Sequence, residues 1–112
     1  MVDLPSKPTL SRMQVAQELL ADIRRGDLGE VDIVAGDFNA LPGSLILSGV
    51  FPMFHDSWAE AGSGLRPSWP RLFPLLSIDH VLLAPDMRAI SSVTANPGVS
   101  KHRMNVVSLR PR

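Results

Sequence analysis

Three polar clusters in this sequence have residue types and spacings suited to chemistry. Asp37 and Asn39 stand two apart, just past the apolar run Val31-Asp32-Ile33-Val34. A carboxylate and an amide on one short loop can hold a metal ion, a water or a phosphate oxygen. The same spacing also makes an Asx turn, with the side chains bonding local backbone groups. Asp79 and His80 interrupt a second apolar run, Ser77 to Ala84, side by side, so they point to opposite faces of a strand. A carboxylate inside such a strand needs a partner. Lys101, His102 and Arg103 are the third cluster, three donors in sequence that can make a small anion site. An Asp–His hydrogen bond fixes an imidazole's tautomer and raises its basicity. A protonated histidine can stabilise charge developing on a phosphate, and an aspartate can take the proton of an attacking water. For His55, His80 and His102 the alternative is an ordinary structural hydrogen bond. Trp69, in a loop rich in Gly and Pro, reads either as a lid over the core or as a wall beside a site.

The elements that must position these groups follow from local pattern. Met1 to Leu4 reads as the end of a strand. Ser11 and Gln14 have capping-box spacing, with Leu10 and Val15 as a hydrophobic staple. Leu10, Met13, Ala16, Leu20 and Ile23 recur at three and four, and Arg24, Arg25 and Gly26 close a helix expected over 12–25. The β-branched run from Val31 is a strand that Gly36 is expected to break. Asp37 and Asn39 then lie at its carboxyl end, where ligands of α/β sheets usually bind. Pro42-Gly43 marks a turn, and Ser44 caps a short helix with Leu45, Ile46 and Leu47. Residues 51–58 read as irregular, with Asp56 or Ser57 starting another helical turn. Residues 62–74 form a long loop of the kind that is often functional. A strand over 77–84 is followed by strands over 89–94 and 105–109, separated by the Asn96-Pro97-Gly98 turn. The order predicts one domain, 1–112, of mixed α/β or α+β class.

Composition narrows the function classes. A chain of 112 residues can bury roughly 65% of its unfolded surface, enough for one modest core. Formal net charge is zero, so no broad basic face for nucleic acid is implied and duplex DNA is not favoured as a partner. The absence of cysteine excludes disulfides, zinc–thiolate sites and thiol nucleophiles. No apolar run approaches membrane-spanning length and no signal-peptide pattern opens the chain, so a cytoplasmic protein without membrane contact is expected.

Taken in order, the clusters resemble the second half of the endonuclease/exonuclease/phosphatase superfamily, the deoxyribonuclease I-like fold. Its Gly-Asp-x-Asn motif is similar to Gly36-Asp37-Phe38-Asn39, and its Ile-Asp-His/Tyr-x-Leu strand to Ile78-Asp79-His80-Val81-Leu82. Trp69-Pro70 resembles its Thr-Trp-Pro loop, and Ser100-Lys101-His102 its closing Ser-Asp-His. The resemblance implies half of an αββα sandwich, one mixed β-sheet with helices on its outer face. It implies metal-assisted, in-line hydrolysis of a phosphate ester, a phosphodiester or a phosphomonoester, with nuclease activity within its range. In that scheme Asp37 activates or orients the water and ligates the metal, while Asn39 holds the water or a phosphate oxygen. His102, oriented by Asp79, contacts the scissile phosphate with Lys101 and Arg103 nearby, and Trp69 walls the substrate. Mg²⁺ or Mn²⁺ is the implied ion.

The chain departs from the pattern in three places. The amino-terminal half, with its metal-binding glutamate, is absent. Lys101 stands in place of the closing aspartate, and Asp3 stands where many members have a histidine. Half a sandwich leaves the inner sheet face bare, which predicts a homodimer through that face. The alternatives are a catalytically inactive half-domain or phosphate-binding remnant, and a piece of a longer protein that continues upstream of Met1.

Overall fold

The computed structural model describes residues 2–3, 14, 17–18, 21 and 30–112. Gln14, Gln17, Glu18 and Ala21 are helical and exposed. Their spacing puts them on one face, the solvent side of the helix expected over 12–25. The apolar stripe of that helix, Arg24, Arg25 and Gly26 lie outside the described residues.

Two sheets carry the fold. The first has four strands in the order β1-β2-β4-β3: β1 (Val2–Asp3), β2 (Ile33–Asp37), β3 (His55–Asp56) and β4 (Asp79–Leu83). β1 runs parallel to β2, and β2 and β3 run antiparallel to β4. Two short helices, α1 (Leu45–Val50) and α2 (Ser57–Ala61), are capped as expected by Ser44 and Asp56. The second sheet is a hairpin of β5 (Met87–Ala95) and β6 (Met104–Pro111). A register shift between Ala89 and Ser91 leaves Ile90 as the bulged residue.

The α+β class and the half-sandwich architecture stand, with two details differing from expectation. The ladder divides, because β5 bridges Gly62 through Ser92 and the Ser63 N–H donates to the Ser92 carbonyl. β6 meets β4 through a side chain instead, as Asn105 Nδ2 donates to the Asp79 carbonyl at 3.1 Å. In addition, Gly36 does not break its strand. With φ of 147° it stays in the ladder opposite His80, and β2 runs one residue further to pair Asp37 with Asp79. Glycine tolerates this backbone without steric cost.

The core sits on one face of the first sheet. Val34 and Leu82 pair across the β2–β4 ladder and pack with Leu47 and Val50 of α1, Phe38, Ala40 and Phe51. The Phe38 ring is fully buried and meets Phe51 edge-on at 5.8 Å. The face is therefore covered by aromatic rings as much as by helix. On the opposite face of this sheet Leu83 is fully buried while its cross-strand partner Ile33 is half exposed, and Ile90, Met104 and Val106 are half exposed on the hairpin. Among the described residues, no helix is long and apolar enough to cross a membrane.

Candidate active site

The end of the β2–β4 ladder brings two carboxylates together. Asp37 is the last residue of β2 and Asp79 the first of β4, and they are direct cross-strand partners. Like charges facing each other across a ladder repel. β1 adds Asp3 at the register position beside Asp37.

His102, from the loop between β5 and β6, lies against both carboxylates. Its Nδ1 is 2.7 Å from Asp79 Oδ2 and its Nε2 is 3.8 Å from Asp37 Oδ2. A carboxylate accepts, so the short contact puts a proton on Nδ1. The longer one leaves Nε2 facing Asp37 with room for a bridging atom. Asp37, Asp79 and His102 each offer a ligand atom, all within 4.8 Å of one another.

The Asx turn is present as well. The Asn39 N–H donates to Asp37 Oδ1 at 2.8 Å, and Asn39 has a left-handed φ of 47°. Asparagine tolerates that region better than most residues. The buried Phe38 between them donates its N–H to the Ile78 carbonyl at 2.9 Å. The turn and a functional role are therefore not alternatives: one carboxylate oxygen is spent on setting the loop, and the other faces the imidazole.

Sequence reasoning missed Ser68. Its side chain is buried, and its Oγ donates to Asp79 Oδ2 at 2.6 Å, the oxygen that also takes His102 Nδ1. The available signal is the Ser68-Trp69-Pro70 run. Trp69 itself is 37% exposed and its backbone is zipped to Leu76. It is thus a partly open surface directly beside Ser68, not a closed lid.

The third cluster does not converge. Lys101 is exposed, and its side chain makes no hydrogen bond or ion pair among the described residues. Arg103 Nε donates to the Arg71 carbonyl at 2.9 Å. The backbone N–H groups of His102 and Arg103 are taken by Ser100 Oγ and the Ser68 carbonyl. The loop thus spends backbone N–H groups and Arg103 Nε on its own anchoring, while the Lys101 ammonium pairs with none of the described residues.

A second polar network lies on the opposite face of β4. His80 is 2% exposed, and its Nε2 is 2.6 Å from the Ala40 carbonyl, so Nε2 carries the proton and donates. Its Nδ1 lies 3.4 Å from Arg66 and 3.8 Å from Asp56, and Arg66 pairs with Asp56. Burial pushes the Asp56 carboxyl up, but His80, Arg66 and the Trp58 N–H together outweigh it and hold the group at about 2. His55 pairs with Glu60 at 2.9 Å near the surface. Glu60 is held below the usual carboxylate range, first by the Ala89 N–H and then by His55 and Arg112 against a smaller desolvation cost. Both histidines are structural hydrogen-bonders.

Against this geometry, the comparisons are consistent. No protein-family model and no curated protein sequence matches the chain. Solved structures do. A functionally unknown conserved protein from Enterococcus faecalis V583 matches with a TM-score of 0.84 at 19% identity, over 99% of this chain and 48% of its own. An endonuclease/exonuclease/phosphatase from Bacteroides vulgatus matches with a TM-score of 0.73 at 19% identity, over 92% of this chain and 45% of its own. A mannosyl-6-phosphatase from Bacteroides thetaiotaomicron VPI-5482 matches with a TM-score of 0.73 at 18% identity, over 96% and 48%. The chain therefore has the fold of an endonuclease/exonuclease/phosphatase domain, the deoxyribonuclease I-like fold. It spans about half the length of the structures it matches.

Proposed function

We propose that this chain is a metal-dependent phosphoesterase that hydrolyses a phosphodiester or phosphomonoester. The observation that carries the proposal is the cross-strand carboxylate pair, Asp37 and Asp79, with His102 set between them. Two facing carboxylates are costly unless a cation works there, and one partner here is an imidazole with an open nitrogen. The fold shared with a mannosyl-6-phosphatase supports the same reaction class.

The donor set fits a divalent ion. The carboxylate oxygens of Asp37 and Asp79, within 4.8 Å of each other, suit Mg²⁺ or Mn²⁺ with waters and substrate completing the shell. Asp37 and Asp79 would hold the ion. When bound, it neutralises phosphate charge and makes water a better nucleophile.

The remaining chemistry belongs to the chain. Asp37 takes the proton of the attacking water as the water oxygen bonds to phosphorus and the ester P–O bond breaks. Asn39 holds a phosphate oxygen. His102 keeps its Nδ1 proton on Asp79 and presents Nε2 to the phosphate, donating there when protonated. Trp69 walls the substrate. Zero net charge favours a small ester over duplex nucleic acid.

A second copy of the chain is the partner assigned to the half-exposed apolar groups. Ile33, Ile90, Met104 and Val106 are each 43–59% exposed, and pairing two sheets buries such groups. Light scattering behind size exclusion reads this directly, and a stable monomer at micromolar concentration excludes the dimer. The inactive phosphate-binding alternative has less support, since Asp37, Asp79 and His102 bring ligand atoms within 4.8 Å of one another. Mn²⁺-dependent hydrolysis of a generic aryl phosphate is the test of function. It disappears in Asp37→Ala and in His102→Ala, and activity that survives both changes removes the proposed site.

A further inference from the structure

We infer that Ser68 is a positioning residue for His102, acting through Asp79. The inference rests on the reading of His102 as the group that meets the phosphate. Asp79 Oδ2 accepts two hydrogen bonds, from Ser68 Oγ at 2.6 Å and His102 Nδ1 at 2.7 Å. Asp79 is on a strand, where its backbone is fixed, but His102 comes from a loop and its side chain is 29% exposed. The orientation of the imidazole therefore depends on which way the carboxylate is turned about its own side-chain bonds. Ser68 sets that rotation.

Ser68 is itself held rigidly. It is 1% exposed, its N–H donates to the Leu76 carbonyl at 3.0 Å, and its carbonyl accepts from the Arg103 N–H at 2.7 Å. The last bond closes a ring: Ser68 holds Asp79, Asp79 holds His102, and the residue after His102 holds Ser68. At 1% exposure the hydroxyl is out of reach of a substrate, so its use is geometric. Groups that orient a working histidine through its carboxylate are worth about 10–100-fold in comparable sites.

The test compares Ser68→Ala, Ser68→Thr and Ser68→Cys in the full chain by two readouts. The first needs no turnover: exchange of the His102 Nδ1 proton with water, followed by NMR in metal-free protein. The buried Nε2 proton of His80 serves as internal control. Exchange at His102 is expected to be at least about 10-fold faster in Ser68→Ala. His80 should be unchanged, Thr should restore the wild-type rate, and Cys, a weaker donor, should fall between. The second readout is Mn²⁺-dependent phosphoesterase activity. There kcat should fall about 10–100-fold in Ser68→Ala with KM within about twofold. Equal acceleration at His80 and His102 means a general loss of stability and overturns the inference. So does an unchanged His102 rate. An inactive wild-type chain with the expected exchange pattern instead overturns the phosphoesterase reading and leaves Ser68's role intact.

Discussion

Two aspartate–histidine sets flank β4, and the same two residue types end in opposite states. On one face His80 has both nitrogens occupied, by Ala40 and Arg66, and Asp56 lies 3.8 Å away. It is buried against Phe38, with ring centroids 5.7 Å apart. On the other face His102 has one nitrogen on Asp79, while the second faces Asp37 across 3.8 Å. The difference teaches that an Asp–His pair does not by itself indicate catalysis. What matters is whether the second ring nitrogen is used up by the fold.

The largest expected effect that could break this contrast is on activity. His102→Ala should lower kcat by about 10²–10⁴-fold while costing less stability than the loss of His80. His80→Ala should do the reverse, keeping the residual native fraction active but losing about 2–4 kcal/mol of stability in urea titration. It opens a cavity beside Phe38 and orphans the Ala40 carbonyl. If both variants lose activity and neither loses stability, the distinction fails.

A smaller effect concerns pH. The folded Asp56 carboxyl is held at about 2 against an ordinary 3.8. Its contribution, about 2 kcal/mol, is fully present above the unfolded value and is lost as pH falls from there through the folded one. Asp56→Asn should flatten the stability curve between about pH 4 and 2, measured by denaturant midpoints at each pH. A slope unchanged by the substitution would assign acid sensitivity elsewhere. The smallest effect is at Lys101. Its side chain is exposed and pairs with none of the described residues, so Lys101→Ala should change stability by less than about 0.5 kcal/mol. It should change kcat by less than about threefold, and a larger loss would put this lysine at the phosphate.

Much of this was legible because it depends on short-range pattern. The Ser44 and Asp56 caps, the β4 run and the Asn96-Pro97-Gly98 turn all follow from local chemistry, and all appear. That Asp79 and His80 face opposite ways follows from strand geometry alone. The meeting of Asp37, Asp79 and His102 was legible only through resemblance, since no local rule joins residues 23 to 65 apart. Gly36 misled because a glycine inside a ladder and one ending it look alike in sequence. Ser68 was missed because a serine carries no signal until its buried partner is known.

Arg71 extends the reach of that loop chemistry. Its N–H donates to the Lys101 carbonyl, its Nε to the Ser100 carbonyl and its Nη1 to Asn96 Oδ1, while its carbonyl accepts from Arg103 Nε. One side chain and one peptide unit thus sew the segment after α2 to the segment between β5 and β6. Such bonding makes a cooperative unit. The two loops that carry Ser68 and His102 should exchange their amide protons at a common rate and open together, so that any local opening removes the Asp79 hydroxyl and imidazole partners in a single event.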